Sequence, residues 1–165
     1  MNLIFRMVYI SFLSVFRERL PIGKAQSRLT LRVLPNDLDI NFHMNNGRYL
    51  TLCDLSRVDM FIRTGLMKSI LKRKWMPVIA EHTMTYKKPL GLFRRFDLLL
   101  ELTHWDEKYF YMTHTFIVEE RVVAAGTSKG CLYARGTGVV SPAEVIAAVE
   151  RDNKGESRAE RGDSP

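Results

Sequence analysis

A chain of 165 residues, 46% hydrophobic and 10% aromatic, is long enough to bury one core and too apolar to be a disordered chain. Its two distant cysteines, Cys53 and Cys131, exclude a disulfide framework, and with no secretory leader evident a reducing, cytoplasmic setting is expected. The net charge of +7 is concentrated: residues 57–95 hold ten bases against two acids, clustered at 72–74, 87–88 and 94–95. That pattern points to an anionic partner or to a solvated face. No recognition motif accompanies it, so nucleic acid is not expected.

Residues 1–20 are mostly apolar, but their longest uncharged run, 7–16, would span only ~15 Å as a helix, about half a bilayer core. The helix would have a wide apolar face, a narrow polar strip at Ser11, Ser14 and Glu18, and a basic end at Arg17 and Arg19. It is expected to pack on the domain, cover an oligomer surface or lie peripherally on a membrane, rather than span one. Residues 1–24 are read as this apolar helix, 25–150 as the domain and 151–165 as a disordered tail.

Residues 27–34 alternate apolar and polar and predict a strand that Pro35 ends. Residues 49–64 are apolar nearly all round and predict a largely buried helix, with Asn45 or Asn46 as its N-cap and Gly65 past its C-terminus. After a basic helical stretch to Lys74 come four strand-like runs, at 78–87, 97–105, 109–119 and 121–135. The short turns at 106–108 and 119–121 make consecutive runs antiparallel. Gly126 and Gly130 predict a bulge or a close backbone approach in the last run. A short helix over 142–151 closes the chain, and the order is that of an α+β domain in which one antiparallel sheet wraps one long helix.

Between the first strand and the long helix stands DLDINFHMNNGRY, residues 37–49. It concentrates two carboxylates, a histidine and three asparagines at a helix N-terminus, where unpaired N–H groups and the helix dipole favour a negative charge. A carboxylate placed there can activate water or attack directly while the amides hold a developing oxyanion, which is the equipment of acyl transfer to water.

These residues resemble the D-x-D-x-N-x-H-x-N-N-x-x-Y signature of hotdog-fold thioesterases, the 4-hydroxybenzoyl-CoA thioesterase-like group, and the element order agrees over about residues 27–135. The resemblance implies a hotdog fold and hydrolysis of an acyl-CoA or acyl-carrier-protein thioester, without cofactor or metal. It implies a homodimer or a dimer of dimers, with the site between subunits. It also implies Asp39 as the catalytic carboxylate and the Asn46 amide as the group that polarises the carbonyl, with His43 polarising the substrate. Asn45, Phe42, Tyr49, Lys87 and Lys88 form the implied substrate-binding set, the lysines meeting coenzyme A phosphates. Many relatives have Gly where this chain has Phe42, which would narrow or line the acyl pocket.

Each assignment has a plainer reading. Asp39 and Asp37 can brace the loop by accepting backbone N–H bonds, Asp37 more so. His43 can equally hold the loop or bond a partner subunit. Asp54, inside the helix, is the alternative acid, and Arg57 at i+3 offers it an ion pair instead. Cys53 reads as a small buried thiol. His82, His104 and His114 lie on different strands with no zinc-like spacing, and Thr127 and Ser128 are weak candidates for bonding the substrate. The rival to hydrolysis is a non-catalytic acyl-binding or membrane-associated module of the same fold.

Overall fold

The computed structural model describes residues 2–160. Its elements are helix α1 (Asn2–Val15), strand β1 (Gln26–Arg32), helices α2 (Asn46–Thr64) and α3 (Leu66–Arg73), strands β2 (Trp75–Tyr86), β3 (Arg95–Trp105), β4 (Phe110–Val118), β5 (Arg121–Ala134) and β6 (Gly138–Val140), and helix α4 (Pro142–Glu160). The strands form one sheet in the order β1-β3-β4-β5-β2, with every ladder antiparallel and β6 paired to β5. This is the expected sheet around one helix.

The sheet closes on α2 because alternate strand residues point inward. Leu98, Leu100, Phe116 and Ala124 are fully buried with Leu52, Cys53 and Leu55 of the helix. α2 starts at Asn45, whose side chain caps it, and stops at Gly65, which turns left-handed at φ 81°. β2 lies at one edge, which explains how Pro77 is accommodated in a strand that begins three residues earlier than periodicity predicts. Gly126 makes the predicted close approach: a Cβ there would lie 2.1 Å from the Thr83 carbonyl oxygen. β6 was not foreseen; three residues carry too little alternation to register as a strand.

Two further differences have clear causes. α4 does not end near Arg151 but continues as helix to Glu160, over part of the stretch expected as a tail; the rest of that stretch, 161–165, lies outside the described residues. The added turns start at an anchor: Asp152 accepts from Ser69, Lys72 and Arg73, and Asn153 Nδ2 donates to the Thr64 carbonyl at 3.0 Å. The apolar N-terminal helix ends at Val15 rather than spanning 1–24.

α1 is fastened by a buried carboxylate. Asp59 of α2 accepts from Ser14 Oγ at 2.7 Å and Arg17 at 2.8 Å, and also from Ser27 and Arg63. Charge-assisted bonds of this kind satisfy an ion that burial would otherwise disfavour. Ile10 and Ser14 face the domain, whereas Ile4, Phe5, Val8, Tyr9, Phe12, Val15 and Phe16 face outward. No described helix is long and apolar enough to cross a membrane.

Candidate active site

The motif loop is closed at its base by Asp37. That carboxylate is buried at the end of a 3-10 turn started by Pro35, and it accepts the Leu34 N–H at 2.8 Å and Arg6 Nη2 at 2.9 Å. Its carbonyl accepts the Asn45 N–H at 2.8 Å, so the two ends of the loop are tied together. Asp37 is the brace.

Within the loop, Asp39 donates its N–H to the His43 carbonyl at 2.9 Å, and its own carbonyl accepts the Phe42 N–H at 3.1 Å. The Asp39 side chain uses Oδ1 alone, accepting from Asn41 N–H at 2.8 Å and His43 N–H at 3.4 Å. Oδ2 has no partner among the described residues, which leaves one carboxylate oxygen available for chemistry.

Asn45 is the N-cap, its Oδ1 accepting the Gly47 N–H at 2.8 Å and its carbonyl accepting the Arg48 N–H at 2.8 Å. The Asn46 N–H, first of α2, makes no hydrogen bond among the described residues. It is an open donor at the positive end of a nineteen-residue helix. The Asn46 carbonyl accepts from Tyr86 Oη at 3.1 Å, a tie absent from the sequence-based candidates although Tyr86 shares the inward parity of His82 and Met84.

The β2–β3 loop supports this arrangement from the side. Gly91 pairs with His43 in an isolated antiparallel bridge, and the Leu90 carbonyl accepts the Met44 N–H at 2.7 Å. His43 is exposed, with its ring unbonded among the described residues. The same loop carries Lys87 and Lys88, whose amides both donate to Val123 O and whose side chains are exposed. Asp39, His43, Asn45, Asn46 and the two lysines thus belong to one loop assembly.

Three further candidates have different surroundings. Tyr49 is buried, with its ring edge-on to Tyr86 and Phe116, and desolvation pushes its hydroxyl up to about 12. Phe42 is 78% exposed at φ 58°, because the tight turn after Asp39 throws its side chain outward. Asp54 is 51% exposed and forms the i,i+3 ion pair with Arg57. It sits eight residues along α2 from Asn46, ~12 Å of helix rise, so it is no part of the Asp39 loop.

Behind that ion pair the fold gathers residues that sequence spacing left apart. Donor atoms of Cys53, His82 and His114 lie within 4.8 Å of one another. Arg57 Nη2 is 3.2 Å from His82 Nδ1, and His114 Nε2 is 2.8 Å from Ser128 Oγ. A guanidinium only donates, so His82 Nδ1 must accept and the ring proton resides on Nε2. While Arg57 holds it, His82 has no free lone pair for a metal. Burial pushes the Cys53 thiol up to about 12 and His114 down to about 3, so both stay neutral. Cys53 is no ready nucleophile.

Comparison with known proteins places this geometry. A family model described as the thioesterase-like superfamily matches residues 33–149. The chain is 40% identical over 85 residues to Protein THEM6 of Xenopus laevis, a match covering 52% of this chain and 41% of that relative. It therefore spans less than half the length of that relative. Among solved structures, YbaW, a probable thioesterase from Escherichia coli, superposes with a TM-score of 0.69 at 19% identity, covering 76% of this chain and 97% of the other. BH1999, a gentisyl-coenzyme A thioesterase, superposes with a TM-score of 0.63 at 22% identity, covering 74% and 98%.

Proposed function

The chain belongs to the thioesterase-like superfamily, with the hotdog fold, and from that premise we propose that it hydrolyses an acyl thioester to a free acid and a thiol. The observation that carries the reading is the unbonded Asn46 N–H at the head of α2, at the end of the loop that presents Asp39. A thioester carbonyl oxygen accepting that N–H would develop its negative charge against the helix dipole.

The free oxygen of Asp39 has two possible tasks. As general base it takes a proton from water while the water oxygen bonds the carbonyl carbon. As nucleophile it bonds that carbon itself, and water then hydrolyses the mixed anhydride. In either case the C–S bond breaks when the tetrahedral intermediate collapses, and the thiolate leaves and takes up a proton. His43, exposed beside this point, would polarise the substrate.

The substrate class is an acyl-CoA or an acyl-carrier protein. Lys87 and Lys88 support the first by offering cations to coenzyme A phosphates, as does the similarity in fold to a gentisyl-coenzyme A thioesterase. The exposed edge of β2 supports a homodimer or dimer of dimers formed by strand pairing, and the outward apolar face of α1 supports a peripheral membrane contact. We take residues 25–150 as the catalytic unit, in the cytoplasm.

One observation favours the rival, a non-catalytic acyl-binding module: Asp39 Oδ1 is already engaged by two loop amides. Thiol release from a panel of aliphatic and aromatic acyl-CoAs, with Asp39→Asn alongside, separates the two. Hydrolysis is expected to fall by ~100-fold or more in a variant that keeps its fold. Tight acyl-CoA binding with no release by the parent chain would establish the binding module instead.

A further inference from the structure

α1 carries a cation on its buried stripe. Arg6, Ile10 and Ser14 recur at the four-residue spacing that aligns side chains on one helix face, and Ile10 and Ser14 are buried against the domain. The Arg6 side chain is only 12% exposed, and its Nη1 is buried with no partner among the described residues. A long side chain free to turn to solvent would avoid that cost, so the guanidinium is held by what its Nη2 meets. Nη2 donates to the Arg32 carbonyl at 2.8 Å and to Asp37 Oδ2 at 2.9 Å. α1 is fastened separately at its other end, where Ser14 and Arg17 meet Asp59, so attachment of the helix does not by itself call for Arg6.

The two acceptors of Arg6 flank the turn that starts the motif loop. Arg32 ends β1, and Asp37 closes the base of the loop by accepting the Leu34 N–H while its carbonyl accepts the Asn45 N–H. Arg48, in the first turn of α2, places Nε 3.6 Å from Asp37 Oδ1 and donates from Nη2 to the Asn36 carbonyl at 2.9 Å. Asp37 is thus held by one cation from α1 and one from α2, and the α1 cation is the closer. A buried carboxylate that loses its nearer counter-charge must shift or draw in water. Asp39 follows Asp37 by two residues and Asn46 follows Asn45 by one, so a shift of Asp37 moves both groups of the candidate site. The family match begins at residue 33, and Arg6 lies before it.

We propose that Arg6 is a positioning residue for the candidate site: through Asp37 it fixes the loop that presents Asp39 and aims the Asn46 N–H. It touches no reacting atom. Its effect on rate rests on the thioesterase reading, whereas its effect on the loop is independent of any reaction. The ion pair is buried within one chain, so a site completed by a second subunit would keep it.

The test uses the full chain carrying Arg6→Met, Arg6→Lys or Arg17→Met, each with an unchanged circular dichroism spectrum. Arg17→Met loosens α1 at Asp59 without touching the loop and reports what attachment alone contributes. On an acyl-CoA that the parent hydrolyses, Arg6→Met is expected to lower kcat about tenfold with KM within about twofold. Arg6→Lys should restore most of the loss, and Arg17→Met should keep the parental kcat. Amide hydrogen exchange over residues 37–46 should be about tenfold faster in Arg6→Met than in Arg17→Met. Arg6→Gln, which keeps a donor but not the charge, replaces Arg6→Met if that variant does not fold. A parental kcat in the uncharged variant, or a fall that Arg17→Met matches, would overturn the proposal. If the parent releases no thiol from any acyl-CoA, the thioesterase reading fails separately and exchange decides: equal rates over 37–46 in the two charge-removed variants overturn the positioning role, and faster exchange on loss of Arg6 upholds it.

Discussion

The hydroxyl of Tyr86, the last residue of β2, donates to the main-chain carbonyl of Asn46, the first residue of α2, at 3.1 Å. The edge strand is thereby tied to the helix end whose N–H stands open. Removing that bond with Tyr86→Phe keeps the ring packed against Tyr49 and should lower stability by at most about 1 kcal/mol. Amide exchange at residues 46–49 should quicken by more than elsewhere in α2. Exchange that is uniform along the helix would show that the tie does not order its end.

The attachment of α1 depends on Asp59, a buried carboxylate shared by Ser14, Arg17, Ser27 and Arg63. In Asp59→Asn the two guanidinium groups lose their counter-charge, a change expected to cost about 3 kcal/mol. For a domain of this size that is a fall in Tm of about 10 °C. Hydrogen exchange should rise first over residues 2–15. Loss of stability spread evenly over the chain would mean that α1 is held by its apolar contacts.

His114 gives the acid limb of stability a defined window. Burial lowers its pKa from an ordinary 6.5 to about 3, so the unfolded chain binds this proton at a higher pH than the folded one. Its contribution is complete above pH ~6.5 and is lost as pH falls toward ~3, a loss on the order of a few kcal/mol. His114→Gln should flatten the pH dependence of denaturant unfolding over that range. Asp152, whose carboxyl Arg73, Ser69 and Lys72 hold below its usual range, acts only at more acid pH, beneath about 3.8, so the two effects separate.

The β4–β5 hairpin turns on two glutamates, Glu119 at φ 47° and Glu120 at φ 63°. Both central positions of such a turn need positive φ, which asparagine and glycine adopt more readily. Glu120→Gly should raise stability by roughly 1 kcal/mol, about 2–4 °C in Tm. An unchanged or lower Tm would show that the turn relaxes without strain in the parent chain.

The sequence by itself determined the elements and the loop. Strand alternation, the Asn45 cap, the Gly65 stop and the hairpin turns are decided by residues within a few positions of one another, where local propensity and hydrogen bonding dominate. For the same reason the brace role of Asp37, which accepts the Leu34 N–H three residues away, was legible in the sequence. Only the tertiary structure decided what each side chain meets. Tyr49 lies in the core, Phe42 points to solvent, Asp54 and Asp39 are separated by helix rise, and Cys53, His82 and His114 converge across three elements. Likewise α4 outruns its own composition because Ser69, Lys72 and Arg73, some eighty residues away, hold Asp152. Such contacts depend on which faces the sheet brings together around α2, and no local pattern encodes them.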